Sequence, residues 1–421
     1  MKHIFQINEP NKVLFKNFTS LSLLQISNYI FPLITLPYLV RVLGPEKYGL
    51  INFAAAFTGY FTILTDYGFN LSATQEISIN REDKQKVSEI FSSVISIKIL
   101  FFLLSSLIFL MIVSFIPLFN ENMILFFVTF LGVLGTTMFP SWLYQGVERM
   151  KYILTINLSV RIIITILIFI VIKSESDYLK LAALNTIAQF SIGVVGILLT
   201  FKKLKIKYLF PNPELIKAQL KNGLSLFLST VSINLYTTSN IFILGLFAPL
   251  NVVGYFSAAD KIRMACQSIL SPMSQSVFPY VNKMVSESYE RFINFNKKLF
   301  KIALIIGAAI SILLFLFAEP IVNILLGHEY QSSILVLKII AWLPMFIFLS
   351  NVLGIQTMIP LNKQKSFALI LFFAAVISLT LSFFLVPKYF EIGTSISVLA
   401  TEIFVTVLFF VLIKKNKILI V

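Results

Sequence analysis

The 421 residues predict an all-α integral membrane protein. About twelve transmembrane helices are expected, in two six-helix bundles related by a pseudo-two-fold axis along the membrane normal. Three observations carry that expectation. The composition is too apolar for water: 57% of residues are hydrophobic, 13% are charged, and the mean hydropathy is +0.89. Soluble domains sit near roughly 45–50% apolar and about 25% charged. The apolar residues come in runs long enough to cross a bilayer as helices. The basic residues between the runs favour every second gap.

Taken in order, the runs lie at 17–40, 48–70, 88–114, 123–146, 153–172, 179–201, 223–247, 251–281, 301–326, 331–359, 366–386 and 391–413. Each approaches or exceeds the roughly 20 residues a spanning helix needs. The eighth is the least apolar and carries charges near its middle. No long alternation of the β-barrel kind accompanies them. The run after the charged first sixteen residues is too long for a signal-peptide core and lacks a small-residue cleavage site, so it reads as a retained first helix.

Orientation follows from the loops. With the N-terminus inside, the inner segments hold 24 Lys and Arg, from Lys2, Lys12 and Lys16 to Lys414, Lys415 and Lys417. The outer loops hold 5: Arg41, Lys47, Lys173, Lys180 and Lys388. Both termini are therefore expected in the cytoplasm. The net charge of +15 is explained by topology and by contact with anionic membrane lipids. A nucleic-acid binder would gather its basic residues on a soluble face, so no nucleic acid is expected. One cysteine, Cys266, and two histidines, His3 and His328, exclude a disulfide framework and a Cys-rich metal site. No metal and no cofactor are expected.

The densest basic stretch separates the halves, giving an N-terminal bundle at 1–201, a linker at 202–222 and a C-terminal bundle at 223–421. Within the linker Asn212-Pro213-Glu214 reads as a helix start, and an interfacial elbow helix on the inner leaflet is expected. The halves echo one another. Leu43-Gly44, Gly49 and Ala54-Ala55-Ala56 recur as Leu244-Gly245, Gly254 and Ala258-Ala259. Gln145 before Glu148-Arg149-Met150-Lys151 recurs as Gln356 before Asn362-Lys363-Gln364-Lys365. The separations are 205 residues for the glycines and 211 for the glutamines.

Charges inside the spans point to function. Lys98, Arg161, Lys261, Arg263 and Lys338 lie within predicted helices, with Asp66, Asp260 and Glu402. A Lys or Arg at a helix centre costs about 2.5–3.5 kcal/mol against lipid. Five would cost about 12–17 kcal/mol, more than a typical protein's whole stability, so they must face a wet or paired interior. Structural salt bridges are an equal alternative for any one residue, and Lys338 can snorkel to the outer interface. Taken together, five cations against three acids suit an anionic substrate, diphosphate above all. Among the prolines that interrupt spans, Pro32 and Pro37 are the hinge candidates, while Pro140, Pro272, Pro279 and Pro344 read as static kinks. Gly132, Gly135, Gly193 and Gly196 read as close helix contacts. No Walker loop is present, and the short outer loops leave no room for a catalytic domain. A polymerase or another membrane enzyme is therefore disfavoured.

Five stretches carry a resemblance. They are Arg41-Val-Leu-Gly-Pro-Glu-Lys-Tyr-Gly49, Asp66-Tyr-Gly-Phe-Asn70, Trp142-Leu-Tyr-Gln-Gly-Val-Glu-Arg-Met-Lys-Tyr152, Val253-Gly-Tyr-Phe-Ser-Ala-Ala-Asp-Lys261 and Gly354-Ile-Gln-Thr-Met-Ile-Pro-Leu-Asn-Lys363. In order and spacing the chain resembles the Wzx-type O-antigen flippases of the polysaccharide-transport family, in the MOP (multidrug/oligosaccharidyl-lipid/polysaccharide) superfamily. The resemblance implies a MATE-like two-bundle transporter, not an enzyme, in the bacterial inner membrane. Its implied substrate is an undecaprenyl-diphosphate-linked oligosaccharide, the repeat unit of O-antigen or a similar polysaccharide. Alternating access coupled to an H+ or Na+ gradient is implied, with a polysaccharide polymerase and a chain-length regulator as partners. Arg41 and Lys261 match the family's cationic positions; Lys98, Arg161 and Arg263 join them as substrate-binding candidates by depth. Asp66, Asp260 and Glu402 are coupling or gating candidates. A lipid II flippase and a multidrug exporter of the same superfamily are the alternatives, and a membrane polysaccharide polymerase is the alternative of another class.

Overall fold

The computed structural model describes residues 9–268 and 270–415, and the regular elements among them are all helical. Lys2 and Lys417, counted above, lie outside the described residues. The helices used below are α1 (Glu9–Asp66), α2 (Phe69–Ile79), α3 (Lys84–Phe115), α4 (Met123–Met138), α5 (Ser141–Gly146), α6 (Met150–Val171), α7 (Tyr178–Leu199), α8 (Pro213–Thr237), α9 (Ser239–Phe247), α10 (Leu250–Gln267), α11 (Leu270–Glu287), α12 (Tyr289–Leu316), α13 (Ser332–Ile340), α14 (Leu343–Leu353) and α15 (Gln364–Lys415).

Eight helices among the described residues are long and apolar enough to cross a membrane, or nine if Leu226–Thr237 and Ser239–Phe247 form one span. Two exceed what a bilayer needs. Thr19–Ile79 holds 61 residues and Gln364–Lys415 holds 52, about 92 and about 78 Å of helix against a core about 30 Å thick. Each is interrupted inside: α1 at Gly44 (φ 67°, ψ 172°) and α15 at Phe390 (φ 45°, ψ −120°). These breaks fall in the loops expected after spans one and eleven, and each divides its long helix into two shorter pieces. Gly44 suits its break because a Cβ is penalised at positive φ, and Pro45 is pre-set to start the next helix.

Two expectations change. The stretch 251–281 is not among the apolar spans; it falls within two helices, α10 ending at Gln267 and α11 starting at Leu270. The linker's elbow helix is corrected too. A helix does begin at Pro213, where Asn212 Oδ1 accepts from the Glu214 N–H at 2.9 Å. It then runs through Gly223, past the expected end of the linker, to Thr237.

The described chain forms two compact units: Met1–Phe31 with Phe57–Thr230, and Pro32–Ala56 with Val231–Val421. Residues 32–56, expected with the first bundle, pack in the second unit instead. Pro32 stands at the boundary, although the helix assignment continues through both Pro32 and Pro37.

In the first unit α4 and α7 approach most closely at Gly135 and Gly193. A Cβ on Gly135 would collide with the Gln189 carbonyl, and one on Gly193 with the Gly135 carbonyl. Gly196 abuts the Phe139 ring, whereas the nearest atom to a Cβ on Gly132 is an ordinary 3.7 Å away. The motifs of residues 66–70 and 142–152 meet here: Ser141 Oγ donates to Asn70 Oδ1 at 2.7 Å, and Thr74 Oγ1 to the Trp142 carbonyl at 3.2 Å. Trp142 is fully buried in a core with Phe69, Ile77 and Phe91.

In the second unit the motifs of residues 41–49 and 253–261 meet. A Cβ on Gly49 would strike the Leu250 carbonyl, and one on Gly254 the Pro45 carbonyl. Gly245 lies against Phe53 in the same way. The glycines that echo each other 205 residues apart are thus the two sides of one helix crossing.

One turn occurs in both units. In the first, Val147, Glu148 and Arg149 donate to Leu143, Gln145 and Tyr144 at 3.0, 3.0 and 2.8 Å. In the second, Leu361, Asn362 and Lys363 donate to Thr357, Ile359 and Met358 at 3.3, 3.0 and 2.9 Å. Glu148 (φ 57°) and Asn362 (φ 59°) are left-handed, and the pattern is a Schellman-type helix ending. The two turns are 214 residues apart, so the glutamine echo at 211 is out of register by three residues: Gln145 corresponds to Ile359. Helix starts repeat as well, with Asp83 capping α3 and Ser288 capping α12.

Candidate functional site

The intramembrane charges sort into paired and unpaired groups. In the first unit Lys98 is 2% exposed, and its Nζ lies 3.1 Å from Asp66 Oδ1. Asp66 ends α1, and its second oxygen accepts from Asn70 Nδ2. Asn70 in turn accepts from Ser141, so Asp66, Lys98, Asn70 and Ser141 form one chain across α1, α2, α3 and α5. This arrangement satisfies a buried ammonium that lipid would not tolerate. Arg161 on α6 contrasts with it: it is half-buried, and its Nε has no hydrogen-bond partner among the described residues.

In the second unit α10 carries three of the predicted residues within one helical turn. Arg263 is buried and lies against Asp260, with Nη2 and Nε at 2.6 and 2.7 Å from Oδ1. Its other terminal nitrogen donates to Gln267. Lys261 points elsewhere: its Nζ stands 4.8 Å from the centre of the Tyr48 ring, a cation–π contact, and it makes no ion pair among the described residues. Tyr48 is 2% exposed, with its hydroxyl unpartnered among them. Glu402 on α15 is buried, lies within electrostatic reach of Arg263 and Tyr236, and has no ion pair within 4.0 Å among the described residues. Arg41 is exposed and donates to the Ile324 carbonyl at the end of the Ala318–Leu325 helix, where a cation complements free carbonyls. Lys338 is half-buried on α13.

Sequence reasoning missed Asn70, Ser141, Tyr48 and Gln267. Neutral side chains carry no formal charge to stand out inside a span; Tyr48 and Asn70 at least lie within the quoted motifs, whereas Ser141 and Gln267 lie outside them and carried no signal. No group of three His, Cys, Asp or Glu among the described residues could hold a metal ion.

Comparison with known proteins agrees with this picture. The profile of the family described as "Polysaccharide biosynthesis protein" matches residues 14–285. A "Putative O-antigen transporter" of Escherichia coli (strain K12) is 34% identical over 96% of this chain and 98% of its own. A protein of the same description from Shigella dysenteriae is 31% identical over 93% and 97%. Among solved structures, an inward-facing multidrug resistance MATE family transporter of the MOP superfamily superposes with a TM-score of 0.72. It is 16% identical, over 94% of this chain and 99% of its own. The lipid II flippase MurJ in an inward closed conformation superposes with a TM-score of 0.71 at 15% identity, over 96% and 87%. These two likenesses establish a shared MOP-type fold and no more. The chain is a multi-pass membrane protein, and it belongs to the polysaccharide biosynthesis protein family.

Proposed function

We propose that this protein is a flippase. It moves an undecaprenyl-diphosphate-linked oligosaccharide, the repeat unit of O-antigen or a similar surface polysaccharide, from the cytoplasmic to the periplasmic leaflet of the bacterial inner membrane. Both termini are cytoplasmic in this reading, and the protein is not an enzyme. The observation that carries it is the unpaired cations: Arg41, Arg161 and Lys261 have no carboxylate within 4.0 Å among the described residues, whereas Lys98 and Arg263 do. The near-full-length relatives named O-antigen transporters supply the substrate class.

Free cations replace part of the water around a diphosphate, lowering the cost of leaving the headgroup region. The glycan crosses in a wet cavity while the polyprenyl tail stays in lipid. Alternating access is driven by an H+ or Na+ gradient, with Glu402, Asp260 and Asp66 as the acids available for coupling and Pro32 and Pro37 as hinge positions. The two compact units, with residues 32–56 counted in the second, are the moving bodies in this scheme, and a polymerase and a chain-length regulator act downstream. The test is a strain lacking the gene. Complete single repeat units accumulating on the inner leaflet, with surface polysaccharide lost, support the flippase. Unpolymerised units outside the membrane point to a polymerase, and normal polysaccharide with altered drug sensitivity points to an exporter.

A further inference from the structure

The segment between α7 and α8 is built onto the first unit with unusual definition. Ser88, Ser92 and Ser96 stand four residues apart on α3 and so share one face of that helix. Ser88 Oγ accepts from the Lys207 N–H at 3.2 Å, and Ser92 Oγ from the Leu209 N–H at 2.8 Å. Ser96 Oγ pairs with the Tyr208 hydroxyl at 2.8 Å. Ile206 is buried in the core with Phe91 and Trp142. The strap therefore runs parallel to α3 for about 12 Å, from the cytoplasmic cap at Asp83 toward the Asp66–Lys98 pair.

What the strap displays is lopsided. Lys202, Lys203, Lys205 and Lys207 are all exposed, and no acid stands among residues 200–213. Phe210, at the end of the strap, is 97% exposed, and Tyr208 is 51% exposed. A pinned backbone cannot fold such a ring away. The segment follows directly on Glu175–Leu204, a helix long and apolar enough to cross a membrane, which puts it at the level of lipid headgroups.

We propose that residues 202–210 form a binding site for anionic phospholipid of the inner leaflet, in which Lys202, Lys203, Lys205 and Lys207 hold headgroup phosphates and Phe210 inserts between the chains. The serine ladder supplies the preorganisation: it fixes residues 207–209 against α3, so the exposed lysines and ring are held in place before lipid arrives. This site is independent of the substrate cations.

The full-length chain carrying Phe210→Trp is the reporter, reconstituted in vesicles of phosphatidylcholine with or without phosphatidylglycerol. The native indoles contribute a fixed background, measured with the unsubstituted chain. The introduced indole is expected to emit to the blue of its value in detergent and to be quenched by tail-brominated lipid. Brominated phosphatidylglycerol should quench more strongly than brominated phosphatidylcholine at equal fraction, the preference falling about fivefold per lysine removed among Lys202, Lys203, Lys205 and Lys207→Gln. Ser92→Ala combined with Phe210→Trp should reduce quenching while the protein stays folded, since one strap bond is lost. Water-like emission without lipid quenching overturns the proposal. So does equal quenching by both lipids that ignores the lysines, which would make Phe210 a passive surface ring.

Discussion

An ammonium inside a bilayer is tolerated when something takes its charge, and Lys98 and Lys261 meet that demand differently. Lys98 is neutralised by Asp66, so removing either partner leaves an uncompensated charge in a dry place, at about 3–5 kcal/mol. Lys98→Met and Asp66→Asn are each expected to lower the yield of folded protein in the membrane. The double variant should recover most of it, as a double-mutant cycle on purified protein would show. Lys261 rests against an aromatic face worth about 0.5–2 kcal/mol and keeps its charge available. Lys261→Gln should therefore leave protein levels near normal while lowering transport at least about tenfold, the loss of one phosphate-type contact of about 1.5–3 kcal/mol. Loss of folded protein with Lys261→Gln would instead make it a structural residue. Arg263, held by Asp260 and Gln267 on its own helix, belongs with Lys98 in this comparison.

At the scale of the helix, the decisive residues are those with no side chain to spare. Gly135→Val and Gly254→Val each drive a branched side chain into a facing backbone carbonyl and should abolish accumulation of folded protein. Gly132→Ala, three residues before Gly135 on the same helix but without a tight neighbour, should be tolerated. The helix caps make a milder class. Asp83→Ala removes a side chain that accepts from two N–H groups of the first turn of α3, and a loss of about 1 kcal/mol in stability is expected, readable as a lower thermal midpoint in detergent. The repeated Schellman-type turn explains why the halves echo each other at Glu148 and Asn362: both leave a helix in the left-handed region, and another helix begins two residues later.

At the scale of the whole chain, topology is the prediction that charge makes. Cys266 is the single cysteine, so Cys266→Ser provides a cysteine-free background. In it, Ser174→Cys should react with a membrane-impermeant maleimide added outside intact cells, and Lys203→Cys should react only after the membrane is opened. The reverse pattern would invert the orientation and with it the direction of transport.

Much of this protein was legible in one dimension. Apolar run length marks most of the segments apolar enough to cross a bilayer, because that is a transfer energy of a short segment that depends little on what packs beside it. The helical class, the cationic candidates and the close approach of Gly135 and Gly193 followed from that. Tertiary structure alone decided which charges are spent. Lys98 and Lys261 are both lysines in stretches the sequence reads as spans, yet one meets Asp66 and the other Tyr48, partners 32 and 213 residues distant. It also decided that residues 32–56 pack with the second unit, and that the helix starting at Pro213 continues to Thr237. Pairing and packing depend on which helices become neighbours, and hydropathy along a chain carries no record of neighbours.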